Sequence, residues 1–178
     1  FKNYINYTTS GLVSVAEPIK IELAKEVEGW ISNQEVSEKF FSISPSINGK
    51  LSAVNSRSLL FQPSKNLEPN KEYTVTVYLG KIYANIPSEF KTFTFKFKTL
   101  EQNFSVTTTS FQSYSKEWQY IEGVLKTADM LTLENAKNLV SAKQKNKQLP
   151  IKWQGLDSVS KQFQFIIDSV QRFEDDSK

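Results

Sequence analysis

Between Phe40 and Val77 the chain cannot hold one conformation for long. Pro45, Pro63 and Pro69 each lack the backbone N–H that a helix interior or an inner strand needs. Asn48-Gly49, Asn55-Ser56 and Asn70-Lys71 add turn residues between them. The segments left over are short, and they alternate apolar with polar positions, the period of a strand with one buried face. Phe40, Phe41 and Ile43 lead into Pro45. Leu51 and Ala53 share a face of Lys50–Val54, and Leu59 and Phe61 share a face of Ser58–Gln62, which predicts a hairpin around Asn55-Ser56. From Glu72 onward Tyr73, Val75, Val77 and Leu79 fall on one side. A chain cut in this way builds sheets.

The same rhythm extends in both directions. Gly11–Val15 and Ile19–Leu23 read as strands with Pro18 between them, and Ile19, Ile21 and Leu23 oppose Lys20, Glu22 and Ala24. Phe93, Phe95 and Phe97 put three rings on one side of a strand over Thr92–Phe97. Polar residues break the pattern at Thr99–Asn103, so the domain boundary is expected there, giving domains at 1–100 and 101–178. Beyond it Phe104–Thr109, Tyr120–Thr127, Ile151–Trp153 and Gln162–Val170 read as strands. Leu133, Ala136, Val140 and Lys143 are spaced by threes and fours, which predicts one short helix over Leu133–Lys143 with Thr132 as its N-cap. Lys143, Lys145 and Lys147, interleaved with Gln144, Asn146 and Gln148, read as a solvated loop. The length of 178 residues fits one and a half to two sandwiches of about 100 residues. The expected class is all-β, two tandem β-sandwich domains. The second, at about 75 residues, is short for a complete sandwich and reads as truncated.

Composition removes most chemistry. There is no His and no Cys, so neither a Ser-His-Asp triad, a Cys-His pair nor a zinc site of the usual kind can form. The Asp and Glu residues cluster in turns, in the helix segment and at the C-terminus rather than as a glycosidase pair. The 6 glycines form no phosphate-cradling motif. The tail Glu174, Asp175 and Asp176 lacks the glycine and spacing of a calcium loop and reads as a solvated end. No catalytic residue, metal or cofactor is expected, and the chain reads as a non-enzyme. The net charge of +3 arises from 22 basic and 19 acidic residues spread along the chain, without the basic footprint of a nucleic-acid binder. No apolar run approaches the roughly 20 residues of a membrane helix. The start at Phe1 reads as a processed or trimmed one. Trp30, and Tyr83 and Trp118 beside Lys81 and Lys116, are the candidate interaction surface, where rings could stack on a ligand. Rings at alternating strand positions also serve as core, and both readings stay open.

The phrases "IKIELAKEV", "FFSISPSINGKLSAVNSRSLLFQPSKNLEPNKEYTVTV" and "TFTFKFKT", in that order, resemble the bacterial Ig-like domain that opens many bacterial alpha-2-macroglobulins and also occurs in surface-layer proteins. The residues that carry the likeness are Phe41, Ile43, Pro45, Ile47 and Gly49, then Phe61 and Pro63, then Leu67, Pro69 and Tyr73, then Phe95, Phe97 and Thr99. The phrases "YIEGVLKTAD", "LPIKW" and "FQFIIDSVQRFED" are similar to the macroglobulin-type domain that follows. The resemblance implies an immunoglobulin-like sandwich, then a macroglobulin-like one. Both would belong to a lipid-anchored periplasmic or envelope protein that traps proteases after bait cleavage. This chain would be its non-catalytic N-terminal scaffold. Its partners would be other domains of the same parent, proteases and envelope proteins, with no nucleic acid and with the membrane reached only through an anchor outside these residues. The family's thioester joins a Cys and a Gln in a CxEQ motif; Thr99-Leu100-Glu101-Gln102 has its outline, but Thr99 has no thiol to form one. The alternative is a carbohydrate- or peptide-binding Ig-like module of a surface protein.

Overall fold

Strands form where apolar and polar residues alternate. The computed structural model describes residues 1–155 and 157–172. It divides into two compact units, Phe1–Glu101 and Gln102–Lys178. Both are all-β, with only two short α-helices among the described residues.

The first unit contains β1 (Ile5–Thr8), β2 (Gly11–Val13), β3 (Ile19–Leu23), β4 (Gln34–Glu35), β5 (Phe41–Ser44), β6 (Gly49–Ala53), β7 (Ser58–Pro63) and β8 (Glu72–Val77), then the helical turn α1 (Leu79–Ile82) and β9 (Phe93–Thr99). They form two sheets, ordered β1-β3-β7-β6-β4 and β2-β9-β8-β5. Every pairing is antiparallel except β2 with β9. Ile19, Ile21, Leu23, Leu51 and Leu59 from one sheet and Tyr73, Val75, Val77 and Phe97 from the other are buried in one core. The hairpin around Asn55-Ser56 is present, with Ala53 opposite Leu59. The strand expected to run through Leu79 stops at Val77; Leu79 opens α1 and is still fully buried.

Asn48-Gly49 does something other than turn a hairpin. β5 and β6 lie in different sheets, so residues 45–48 carry the chain from one layer to the other. Gly49 is the first residue of β6 and its backbone is ordinary extended chain. What demands glycine is closeness: a Cβ there would overlap the Phe61 ring and the Gln62 carbonyl oxygen. Of the three turn pairs between Phe40 and Val77, the one with a left-handed residue is Asn70-Lys71, where Asn70 has φ of 54°.

The second unit contains β10 (Phe104–Ser113), β11 (Trp118–Thr132), α2 (Leu133–Lys137), β12 (Lys143–Gln144), β13 (Lys147–Gln148), β14 (Ile151–Gln154) and β15 (Val159–Gln171). One antiparallel sheet is ordered β10-β11-β15-β14, and β12 and β13 form a separate hairpin. The segment from α2 to Leu149 covers one face of this sheet. Ala136 packs with Leu125, Phe163 and Phe165, and Ala142 and Leu149 pack with Val170. Thr132 caps α2 as expected, its Oγ1 accepting the Asn135 N–H at 3.2 Å. The helix is shorter than its spacing predicts, ending at Lys137 rather than Lys143. Bringing Ala142 and Leu149 to one core requires extended chain, closed by the Leu149 N–H on the Ala142 carbonyl at 2.9 Å. Lys143, Lys145 and Lys147 are exposed, and they lie on the resulting hairpin rather than in an open loop.

Gly123, opposite Phe165 in the sheet, repeats the role of Gly49: a Cβ there would overlap the edge of the Phe165 ring. Chemical denaturation should therefore show Gly49→Ala and Gly123→Ala each losing about 1–3 kcal/mol, the usual cost of overpacking. Gly80→Ala, whose new methyl would meet Lys91 Cγ and Cβ at 3.0 and 3.2 Å, should cost less than either, because that side chain has only to give by a few tenths of an ångström.

Candidate interaction sites

Trp30 lies in the connection from β3 to β4, half-buried, with its ring 6.0 Å from that of Phe40. Tyr83 follows α1, and its hydroxyl donates to the Lys25 carbonyl at 2.8 Å while its ring sits 6.0 Å from Tyr4. Burial raises the Tyr83 phenol above its ordinary pKa, against the lowering effects of that hydrogen bond and of Arg57. The β3–β4 connection is thus a shared seat: Trp30 belongs to it and Tyr83 fastens it. Both rings hold the first unit together while leaving part of their surface open. Trp118 belongs to the second unit. It opens β11, half-buried, and its backbone closes the β10–β11 turn: its N–H donates to Ser115 Oγ at 3.0 Å, and its carbonyl accepts from the Tyr114 and Ser115 N–H groups at 3.1 and 3.2 Å.

Sequence reasoning missed a polar cluster in the second unit. Lys152 of β14 pairs with Asp168 of β15, whose other oxygen accepts from the Ser169 N–H at 2.7 Å and from the Tyr114 hydroxyl at 3.4 Å. Tyr114 in turn stacks on Tyr120 at 6.2 Å. The Lys152 ammonium, then the Ser169 N–H, hold the Asp168 carboxyl below its ordinary value, and Asp168 raises Lys152. Only the sheet register brings these residues together, so the linear spacing carried no sign of them.

Thr99 and Gln102, the outline of a thioester motif, have structural duties. The buried Thr99 hydroxyl donates to the Glu68 carbonyl at 2.5 Å and accepts the Lys71 N–H at 2.9 Å. The Gln102 side chain accepts the Asp129 N–H at 3.0 Å and donates to the Asp129 carbonyl at 3.2 Å. Among the described residues no three His, Cys, Asp or Glu side chains are grouped so as to hold a metal. The acidic tail Glu174, Asp175 and Asp176 lies outside the described residues. Between β5 and β6 a groove of about 550 Å³ opens, lined by Phe41, Ile43, Ile47 and Phe61, with Glu38 and Lys50 also on its wall.

The bacterial Ig-like domain family matches residues 8–99, within the first unit. No curated protein matches the chain. Among solved structures it is similar to L,D-transpeptidase 3 from Mycobacterium tuberculosis in complex with a faropenem-derived adduct, at 12% identity and a TM-score of 0.37, covering 66% of this chain and 44% of that one. An L,D-transpeptidase from Mycobacterium tuberculosis H37Rv is similar at 11% identity and a TM-score of 0.37, covering 86% of this chain and 59% of that one. The chain thus spans about half the length of these structures.

The Lys152–Asp168 pair sets a sign for pH dependence. A carboxyl whose folded pKa is depressed contributes stability that is present above its unfolded value, near 3.8, and is lost as pH falls through the folded value. Lys152, raised from 10.5, contributes below that value and loses its contribution as pH rises through the folded one. In an NMR titration Asp168 should protonate at lower pH than an ordinary aspartate, and Lys152→Met should move its midpoint up. An unchanged midpoint in that variant would show that the pair does not form in solution.

Proposed function

From a chain that belongs to the bacterial Ig-like domain family, we propose a non-catalytic scaffold and interaction segment of a larger bacterial protein of the cell envelope or periplasm. The observation that carries this reading is the family match over residues 8–99, on a two-sheet domain whose prominent rings fasten its own connections. Such a domain holds loops and strand edges in fixed places, which suits it to position neighbours rather than to do chemistry.

The finer reading is that the parent is an alpha-2-macroglobulin-like protease trap. The resemblance of the "LPIKW" and "FQFIIDSVQRFED" phrases to a macroglobulin-type domain supports it, and most of both phrases forms the adjacent strands β14 and β15. In that parent the capture of a protease falls to later domains. The partners of this segment are those domains, with proteases and envelope proteins beyond them, and the membrane is reached through a lipid anchor outside these residues. A molar excess of the purified chain added to several endopeptidases should leave hydrolysis of a protein substrate unchanged. Inhibition by this chain alone would sink the division of labour.

The open sides of Trp30, Tyr83 and Trp118 favour a second reading, a carbohydrate- or peptide-binding module. Under it the chain is retained on a glycan or peptide array and Trp118→Ala abolishes that retention. Absence of retention removes this reading and leaves the scaffold.

A further inference from the structure

Edge strands expose unpaired main-chain groups, and proteins guard them with short length, proline, charge or a bulge. Most edges of this chain are guarded. β1 is four residues long and bulged between Ile5 and Tyr7, β2 has three residues, and β4 has two. β5 ends at Ser44 against Pro45, and β14 follows Pro150 and carries Lys152. β10 is different. It runs for ten residues at the edge of its sheet, inside a stretch from Gln102 to Ser115 that contains no charged residue, no proline and no glycine. Its one irregularity is the bulge at Thr109.

The ladder shows which groups are free. The Ala128 N–H donates to the Asn103 carbonyl at 2.8 Å, and the Tyr114 N–H donates to the Trp118 carbonyl at 3.1 Å. Antiparallel alternation from these two points turns the main-chain groups of Ser105, Thr107, Ser110 and Gln112 toward β11. Those of Phe104, Val106, Thr108 and Phe111 turn outward, where only the Phe104 N–H has a local acceptor, Asn103 Oδ1 at 2.8 Å. The same residues share a side-chain face. Val106 lies opposite Leu125, Thr108 opposite Gly123 and Phe111 opposite Ile121, so they continue the core face of the sheet. The cover from α2 to Leu149 does not extend over them: Phe104, Val106 and Phe111 are 49%, 44% and 60% exposed.

We propose that β10 is a dimerisation strand, to which a second copy of the chain adds its own β10 antiparallel, about a two-fold axis at Thr107. The strand is self-complementary in this register. With the bulged Thr109 left over, as it is against β11, Val106 falls opposite the second copy's Thr108, Ser105 opposite its Ser110, and Phe104 opposite its Phe111. The pairs Val106–Thr108 and Phe104–Phe111 are those whose main-chain groups point outward, so the alternation of the new ladder is satisfied on both sides of the axis. Phe104 and Phe111 then form a cross-strand ring pair at each end, next to Val106. Charge agrees: the nearest charges along the chain are Glu101 on one side and Lys116 on the other, so antiparallel pairing sets unlike signs at each end. A closed two-fold contact also explains why one long edge can do without charge, proline or short length, since pairing once removes it.

Sedimentation velocity with light scattering on the 178-residue chain, from about 1 to 100 μM, should show a monomer–dimer equilibrium. Val106→Pro deletes an outward N–H and breaks no bond to β11, and it should weaken the dimer about tenfold or more. Thr107→Lys, on the opposite face and at the axis, sets two ammonium groups against each other; it should weaken the dimer similarly, with partial recovery at high salt. Because Thr107 is exposed, that variant keeps the fold, which circular dichroism checks. A monomer at every concentration overturns the proposal, as does a dimer that neither substitution weakens. A monomer that captures an added β-strand peptide overturns it too, giving the edge to a foreign strand.

Discussion

The ring of Phe61 occupies the space that a side chain at Gly49 would fill, and from there it meets Phe41 of the opposite sheet at 4.8 Å between centroids. No strand pairing joins the two sheets of the first unit, so contacts of this kind are what hold them as one body. Burying a phenylalanine side chain is worth about 1.5–3 kcal/mol, comparable to a sizeable fraction of a small domain's net stability. The position is demanding because two strands of one sheet cooperate in it. β6 supplies the gap, β7 supplies the ring, and β5 across the core supplies the surface on which it rests. The second unit solves its packing in the same manner, with Phe165 over Gly123 and Trp153 beside it at 5.4 Å.

Around this core the polar groups are disposed so that burial leaves none unmet: among the described residues no buried side-chain nitrogen or oxygen lacks a partner. Tyr73 is the informative case. Its ring stacks with Phe97 at 5.4 Å in the deepest part of the core, and its hydroxyl accepts the Glu68 N–H at 3.1 Å. An apolar body and a polar tip thus fix one loop to the sheet. Thr99 binds the same loop from the end of β9 through Glu68 and Lys71. Leu67 completes the anchorage by donating its N–H to the Val15 carbonyl at 2.8 Å while burying its side chain. A loop tied at several points keeps its surface in one place, and this is the physical content of a scaffold.

The period-two signal was legible wherever a strand has one buried face. Ile19, Ile21 and Leu23, or Phe95 and Phe97, can be assigned from spacing alone, because the pleat converts alternation into burial without reference to distant residues. Leu133, Ala136 and Val140 show where such reasoning stops. Their spacing suits a helix, yet a helix of one turn followed by extended chain buries the same residues, and the choice depended on Leu149 meeting Ala142. Gly49 carried a turn signal whose real cause was a ring twelve residues away, a distance no local rule covers. For the candidate sites the limit is sharper still. Trp30 and Tyr83 stand out by their type, but the Lys25 carbonyl and the Phe40 ring that orient them are ordinary residues. The Lys152–Asp168 pair exists only through the register of β14 against β15.

The bulge at Thr109 links the local geometry of one strand to the way the whole sheet is faced. In an unbroken strand Phe104, Val106 and Thr108 would share one face and Phe111 would lie on the other, beside Ser105 and Thr107. One extra residue shifts the phase, so that Phe111 pairs with Ile121 on the core side instead. A bulge is usually counted as a guard that spoils an edge. Here it also gathers every large apolar residue of β10 onto one face and leaves the opposite face to serine, threonine and glutamine. The cost is borne by exposed Phe104, Val106 and Phe111, which make no use of the cover that shields β11, β15 and β14. A face sorted this cleanly yet left bare fits a surface that becomes buried by association more readily than one shaped for water.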